Sequence, residues 1–197
     1  MRRRATLLLC LGLAACGTTQ ASLPYTPASP PVAQPMARPV VAITQVTDRR
    51  EDGREDPNWI GTIRGGFGNP IKRLEAPVPV AEVVRQAFAD ALQARGLLAP
   101  NAEWARYGLE VDILTLHADQ VVRREATVEF RITLRPVNGS APVLVEQERA
   151  NRVGGSAITL SAGVFGSVDD LRLIVQQTMS EAIDRLLDKP NFTAALR

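Results

Sequence analysis

The sequence predicts an α/β fold: an α+β two-layer sandwich with a mixed four- to five-stranded sheet, element order β-α-β-β-β-α, and both helices on one face. Three observations carry this. Residues 80–95 and 167–188 repeat apolar side chains at helical spacing. Four further segments read as strands. One of them alternates so cleanly that one face must be buried and the other wet, so the sheet should be covered on one side only.

The elements follow in chain order. Residues 40–46 (VVAITQV) are β-branched and bounded by Pro39 and Asp48, which suits a first strand. Residues 47–79 are too long for a simple connection. Their first part, Asp48 through Pro57, mixes both charge signs and reads as solvated loop. Their second part, Trp59 through Pro70, is apolar and punctuated by glycine, and reads as a short strand or ordered loop.

In the first helix Val80, Val83, Val84, Ala87, Phe88, Ala91 and Leu92 form one stripe, with Pro79 before it and Gly96 after it. Residues 107–116 give a second strand with Leu109, Val111 and Ile113 on one side. Residues 125–135 give the third. There Ala126, Val128, Phe130, Ile132 and Leu134 alternate with Thr127, Glu129, Arg131, Thr133 and Arg135. Asn138-Gly139 marks a turn, and residues 143–150 form the fourth strand. Ser167 caps the last helix, with Asp170 three residues on. Lys189-Pro190 ends it. A β-α-β step joining parallel strands, followed by an antiparallel meander, accounts for this order.

The N-terminus is of another kind. Arg2, Arg3 and Arg4 precede a short apolar run that ends in Leu13-Ala14-Ala15-Cys16. A positive start, a short apolar core and small residues before a cut make a secretory signal. The run is too short to span a bilayer as a helix. With Cys16 directly after Leu-Ala-Ala, the segment resembles the lipobox of bacterial lipoproteins. That resemblance implies cleavage between Ala15 and Cys16, with diacylglycerol on the Cys16 sulfur and an acylated amine. Residues 1–15 are then the signal, and the chain is membrane-bound through acylated Cys16. Gly17, in place of Asp, resembles an outer-membrane sorting signal, which puts the protein on the periplasmic face of that membrane. Residues 16–39 carry Pro24, Pro27, Pro30, Pro31, Pro35 and Pro39 with almost no charge. They read as a disordered, proline-rich tether, leaving residues 40–190 as a single periplasmic domain.

Composition narrows the function. The formal charge is +2, from 23 basic and 21 acidic residues. Without the three signal arginines, 20 basic residues stand against 21 acidic ones, a charge of −1. The basic excess that would suggest nucleic acid disappears, and aromatics at 5% leave little for base stacking. Cys10 belongs to the signal and Cys16 to the anchor, so no cysteine remains for a disulfide or a metal.

Four short motifs carry a resemblance across the whole domain. These are Val46-Thr47-Asp48-Arg49, Ala94-Arg95-Gly96-Leu97, residues 109–116 (LEVDILTL) and Phe165-Gly166. On them the chain resembles the YajG-like family of uncharacterised bacterial lipoproteins. The resemblance implies an envelope lipoprotein without assigned catalysis. The element order is also similar to that of auxiliary lipoproteins of ABC-type lipid transporters.

The inventory for chemistry is thin. His117 is the one histidine; it falls at the end of the predicted second strand and makes no metal cluster. No Gly-x-Ser-x-Gly elbow and no free Cys supply a nucleophile. Gly65-Gly66-Phe67-Gly68 lacks the Gly-Lys-Ser/Thr ending of a phosphate loop. Gly154-Gly155 precedes a helix, but Asp169 and Asp170 in its first turn would repel an anion. Glu129 and Arg131 read as a solvated face. No enzyme activity, cofactor or metal is expected. Two functions remain: a module binding another envelope protein in outer-membrane assembly or maintenance, or a lipid-binding auxiliary subunit, which would need an apolar cavity.

Trp59, Phe67 and Phe165 lie in glycine-rich apolar stretches that the strand and helix stripes do not need. Either these stretches pair and bury each other, or the three rings form one exposed patch for a protein or acyl chain. The anchor has its own test. Cys16→Ser should leave an uncut precursor without bound lipid, read by mass spectrometry of the native protein.

Overall fold

The computed structural model describes residues 17–28, 30–31, 39–65, 67–154 and 167–197. The signal, Ala15, Cys16 and Phe165 lie outside the described residues. Within them the chain forms seven strands and four helices. The strands are β1 (Gly17–Gln20), β2 (Val41–Asp48), β3 (Trp59–Arg64), β4 (Pro70–Glu75), β5 (Tyr107–Gln120), β6 (Arg124–Pro136) and β7 (Leu144–Gly154). The helices are α1 (Glu51–Glu55), α2 (Val80–Ala94), α3 (Val168–Leu187) and α4 (Pro190–Ala195).

All strands join one mixed sheet, ordered β1-β4-β3-β5-β6-β7, with β2 also on β5. β2 and β5 are parallel, as the β-α-β step requires, and β5, β6 and β7 form the antiparallel meander. The sheet is larger than the four to five strands expected, because β1, β3 and β4 add to one side. β1 is four polar, exposed residues held by main-chain pairing, so it carries no apolar period. β3 is buried at all four central positions and thus shows no alternation.

The core forms between the sheet and α2 and α3. α2 packs on β2, while α3 lies across β5, β6 and β7. Ala126, Val128, Phe130, Ile132 and Leu134 of β6 are fully buried toward the helices. Phe88 of α2 meets Phe130 edge to face, with centroids 5.4 Å apart. Both helix ends follow from their residues. Gly96 takes φ 70, and the bonds from Gly96 N to Gln93 O and from Leu97 N to Leu92 O close a Schellman motif. Ser167 Oγ accepts from Asp170 N and caps α3. Pro190 ends α3 but also occupies the first turn of α4, which seats Phe192 in the core.

The largest departure concerns the tail. Residues 17–28, expected as part of a free tether, are packed. β1 pairs with β4, Leu23 is only 3% exposed, and the chain then crosses the helical layer as a strap. Tyr25 donates to Asp184 Oδ1 at 2.5 Å. Thr26 N donates to Ser180 Oγ, Gln176 Nε2 donates to Thr26 Oγ1, and Ala28 N donates to Asp184 Oδ2. Prolines 24 and 27 keep this stretch extended while leaving N–H groups between them to bond.

Arg95, 3% exposed, ties the strap to both helices. It makes a bidentate pair with Asp188 at 2.8 and 2.9 Å, and reaches Asp184 at 2.9 Å, Tyr25 Oη at 3.1 Å and Ala91 O at 3.1 Å. Burial works against its charge, but the bonds with Asp188, Tyr25 and Asp184 outweigh this and raise its pKa. Burial, then the bond donated to Asp184, push the Tyr25 phenol up to about 12, with Arg95 pulling the other way.

Three outcomes are expected. Leu23→Ala should cost about 2–5 kcal/mol in denaturant unfolding, the range for a buried leucine, and a chain starting at Pro39 should melt well below one starting at Gly17. Tyr25 is protonated in the fold, so its contribution is intact below its unfolded pKa of 10.0 and is lost as pH rises toward about 12. Tyr25→Phe should remove that part of the alkaline loss of stability.

Candidate functional site

A cleft on the open sheet face begins at a break in strand pairing. β5 is 14 residues long, and two short strands share one of its edges. β2 pairs with Tyr107 through Ile113, and β3 with Ala118 through Gln120. Between them the edge would leave buried carbonyls unpaired. Arg50 fills the break. Its Nη1 donates to Trp59 O at 2.8 Å and Leu116 O at 3.0 Å, while Nε and Nη2 hold both carboxylate oxygens of Asp48. Arg50 is 4% exposed, so the planar fork stands where strand hydrogen bonds would have been.

This bridge sets the path of the next turn. Gly53 of α1 lies so close to Asp48 that a Cβ would sit 2.4 Å from Oδ2. β3 in turn presses on β5 at Gly61, where a Cβ would be 2.1 Å from Ala118 O. A side chain at Gly61 would force the two strands apart, and one at Gly53 would displace the Asp48 carboxylate from Arg50. As a result α1 overhangs the open face and walls a cleft of about 490 Å³ against β3 and β4.

The two walls differ in charge. Asp52, Glu55 and Asp56 come from α1 and the turn after it; Arg64 and Arg73 come from the sheet. Asp56 and Arg73 bond across one end, and Arg73 also pairs with Glu75 at 3.2 Å. Arg64 stands 3.7 Å from Asp119 Oδ1, an oxygen that accepts no hydrogen bond among the described residues. Trp59 and Thr62 also line the cleft, with Trp59 Nε1 donating to Thr62 Oγ1 at 3.2 Å. The Trp59 ring lies nearly parallel to His117, with centroids 6.4 Å apart.

Trp59 and Phe67, singled out from sequence, are not brought together. Trp59 is half-buried in the cleft. Phe67 is fully exposed on the turn between β3 and β4. They occupy opposite ends of β3, roughly 17 Å of strand apart at ~3.3 Å per residue, so they do not form one patch. Phe165 lies outside the described residues. His117 is within β5 and not at a strand end, because the strand runs on to Gln120.

Asp48 and Arg50, expected in solvated loop, form the bridge described above, and Glu51–Glu55 is helical. Glu129 and Arg131 stand on the open face, joined through Gln147. Gly68 takes φ 81 in its turn, a conformation that glycine adopts without strain. Asp170 is paired with Arg124 at 2.8 Å. Among the described residues no group of three or more His, Cys, Asp and Glu could hold a metal. Sequence reasoning missed Thr62, Arg64 and Arg73, because only the fold brings them to α1.

No family model matches the chain, and no curated relative matches it. Solved structures do. A Xanthomonas campestris protein of the family-model DUF330 is 15% identical over 91% of this chain and 97% of its own, with a TM-score of 0.58. An uncharacterised protein is 9% identical over 86% of this chain and 95% of its own, at 0.51. These two share the fold. A candidate lipoprotein from Caulobacter crescentus is 17% identical over 59% of this chain and 83% of its own, at 0.41, too loose a likeness to carry an argument.

Two substitutions separate frame from surface. Asp48→Ala leaves the Arg50 charge buried and unpaired and should cost about 3–5 kcal/mol in denaturant unfolding. Phe67→Ser should change stability by less than about 0.5 kcal/mol.

Proposed function

We propose that this chain is a non-catalytic envelope lipoprotein, anchored through Cys16 to the periplasmic face of the outer membrane. Its domain binds another envelope protein through the open sheet face, in the service of outer-membrane assembly or maintenance. The Leu13-Ala14-Ala15-Cys16 pattern and the likeness to YajG-like lipoproteins support the anchor. The observation that carries the binding role is the cleft. It sets an acidic wall against a basic one beside a half-buried Trp59, on the side of the sheet away from α2 and α3. Opposed charges around an aromatic anchor suit a polypeptide with charges of both signs. The lipid-handling alternative needs an apolar cavity, and charged groups line this cleft, which favours the protein partner.

The test is photo-crosslinking in intact cells. Crosslinkers at Arg131 and at Asn151 on the open face should trap one envelope protein, and a crosslinker at Gln93 on α2 should not. The double change Asp52→Lys with Glu55→Lys reverses the exposed acidic wall and should abolish the adduct at unchanged melting temperature. Equal adducts from both faces, or an adduct that survives the reversal, would overturn this reading.

A further inference from the structure

We infer that the end of the sheet bearing the β3–β4 and β5–β6 turns rests on the lipid bilayer, with Phe67 and Val122 entering the interface. The inference deepens the anchoring of Cys16 and rests on it. Cys16 is bonded directly to Gly17, and Gly17 already pairs with Lys72 as the first residue of β1. No slack therefore separates the acylated residue from the sheet. Acyl chains in a membrane would hold that end of β1 at the membrane surface.

The topology says what else is there. β1 runs parallel to β4, so its first residue stands where β4 begins. That point is the β3–β4 turn, which carries fully exposed Phe67, with Ile71 just beyond it and 40% exposed. β3 runs parallel to β5, with Ile63 beside Gln120. The β5–β6 turn therefore opens at the same end. It presents Val121 and Val122, also exposed. Large apolar side chains thus stand on two neighbouring chain reversals, beside the one place where an acyl anchor attaches.

Exposure alone does not single out this end. Val137, Val143 and Trp104 are exposed around the opposite end of the sheet. The start of β1 decides between them, because the strap carries the chain away from the anchor and across the helices. Charge is nearly balanced where the contact would form. Arg64 faces Asp119, Arg123 faces Glu125 at 3.9 Å, and Arg124 pairs with Asp170. Contact should then depend on apolar insertion and not on anionic lipid. In this pose Trp59 lies about a strand's length from the bilayer, and the cleft runs from it down to Arg64 and Pro70 beside the turn.

Fluorescence quenching in vesicles tests this on the full lipidated protein. Cys10 leaves with the signal and the Cys16 sulfur is blocked, so Phe67→Cys, Val122→Cys or Asn138→Cys supplies a single free thiol. Asn138 lies on the exposed β6–β7 turn at the opposite end. Each thiol takes an environment-sensitive dye, and each protein is placed in phosphatidylcholine vesicles containing spin-labelled phosphatidylcholine. The expected result is blue-shifted emission and several-fold stronger quenching at 67 and 122 than at 138, unchanged by added salt. Acyl mass with equal quenching at all three sites would overturn the end-on pose while leaving the anchor standing. A protein carrying no acyl mass would remove both.

Discussion

The long edge of β5 is the constraint around which the rest of the domain is arranged. A 14-residue strand buried between neighbours must find partners for every inward N–H and C=O along that edge. One strand of equal length would satisfy it. This chain instead uses β2 and β3 end to end, with the Arg50–Asp48 pair in the break. A guanidinium can do this because its donors are fixed in a plane and can reach two carbonyls and one carboxylate together. The cost of burying the charge is offset by Asp48 on the spot. The exit from the break then fixes α1 over the sheet, and with it the cleft. Fold and candidate site therefore depend on the same two side chains.

The helical layer is closed by a second set of ion pairs, placed at its rim. Arg95 gathers the ends of α2 and α3 and receives the strap through Tyr25. On the opposite rim the inward face of β7 is charged. Glu146 and Glu148 reach Lys189, and Arg152 reaches Glu181. Bonds from Asn191 and Lys189 hold the Glu146 carboxyl below its usual pKa. Apolar side chains on this last strand would have lain half in water. Long charged side chains cover the core edge with their stems and keep their heads solvated. The sheet can thus end at β7 without exposing the core beneath α3.

Periodicity made the elements around the core legible. β6 alternates because one face meets helices and the other meets water, and α2 and α3 carry stripes because each has one buried side. Their caps could be read as well, since Gly96 and Ser167 act through local backbone bonds. What periodicity could not show is structure held by other means. β1 is held by main-chain pairing with all four residues exposed. β3 is covered from both faces, so Ile60 through Ile63 show no alternation. The cleft joins residues 52–56 to residues 62–73, and the register that brings Arg73 opposite Thr62 is a property of the hairpin. Asp48 and Arg50 looked like solvated charge because nothing local marks a residue that will fill a break between two strands.

The strap corrects a common inference from proline. Pro24 and Pro27 exclude helix and sheet interior, and from that exclusion disorder is a short step. Exclusion from regular structure is not exclusion from packing. A proline-rich stretch is already extended, so docking it loses less backbone entropy than docking a flexible one. Two anchors in a short run then suffice: Leu23 in the core and Tyr25 on Asp184 and Arg95. Under the proposed attachment at Cys16 the consequence reaches the membrane. A free tether would leave the domain to tumble above such an anchor, with every face equally presented. A chain that enters the sheet at Gly17 would tie the direction of the strands to the anchor itself. Stiffness at the N-terminus would then turn a lipid attachment into an orientation, and give the open face a fixed bearing toward whatever stands beside it.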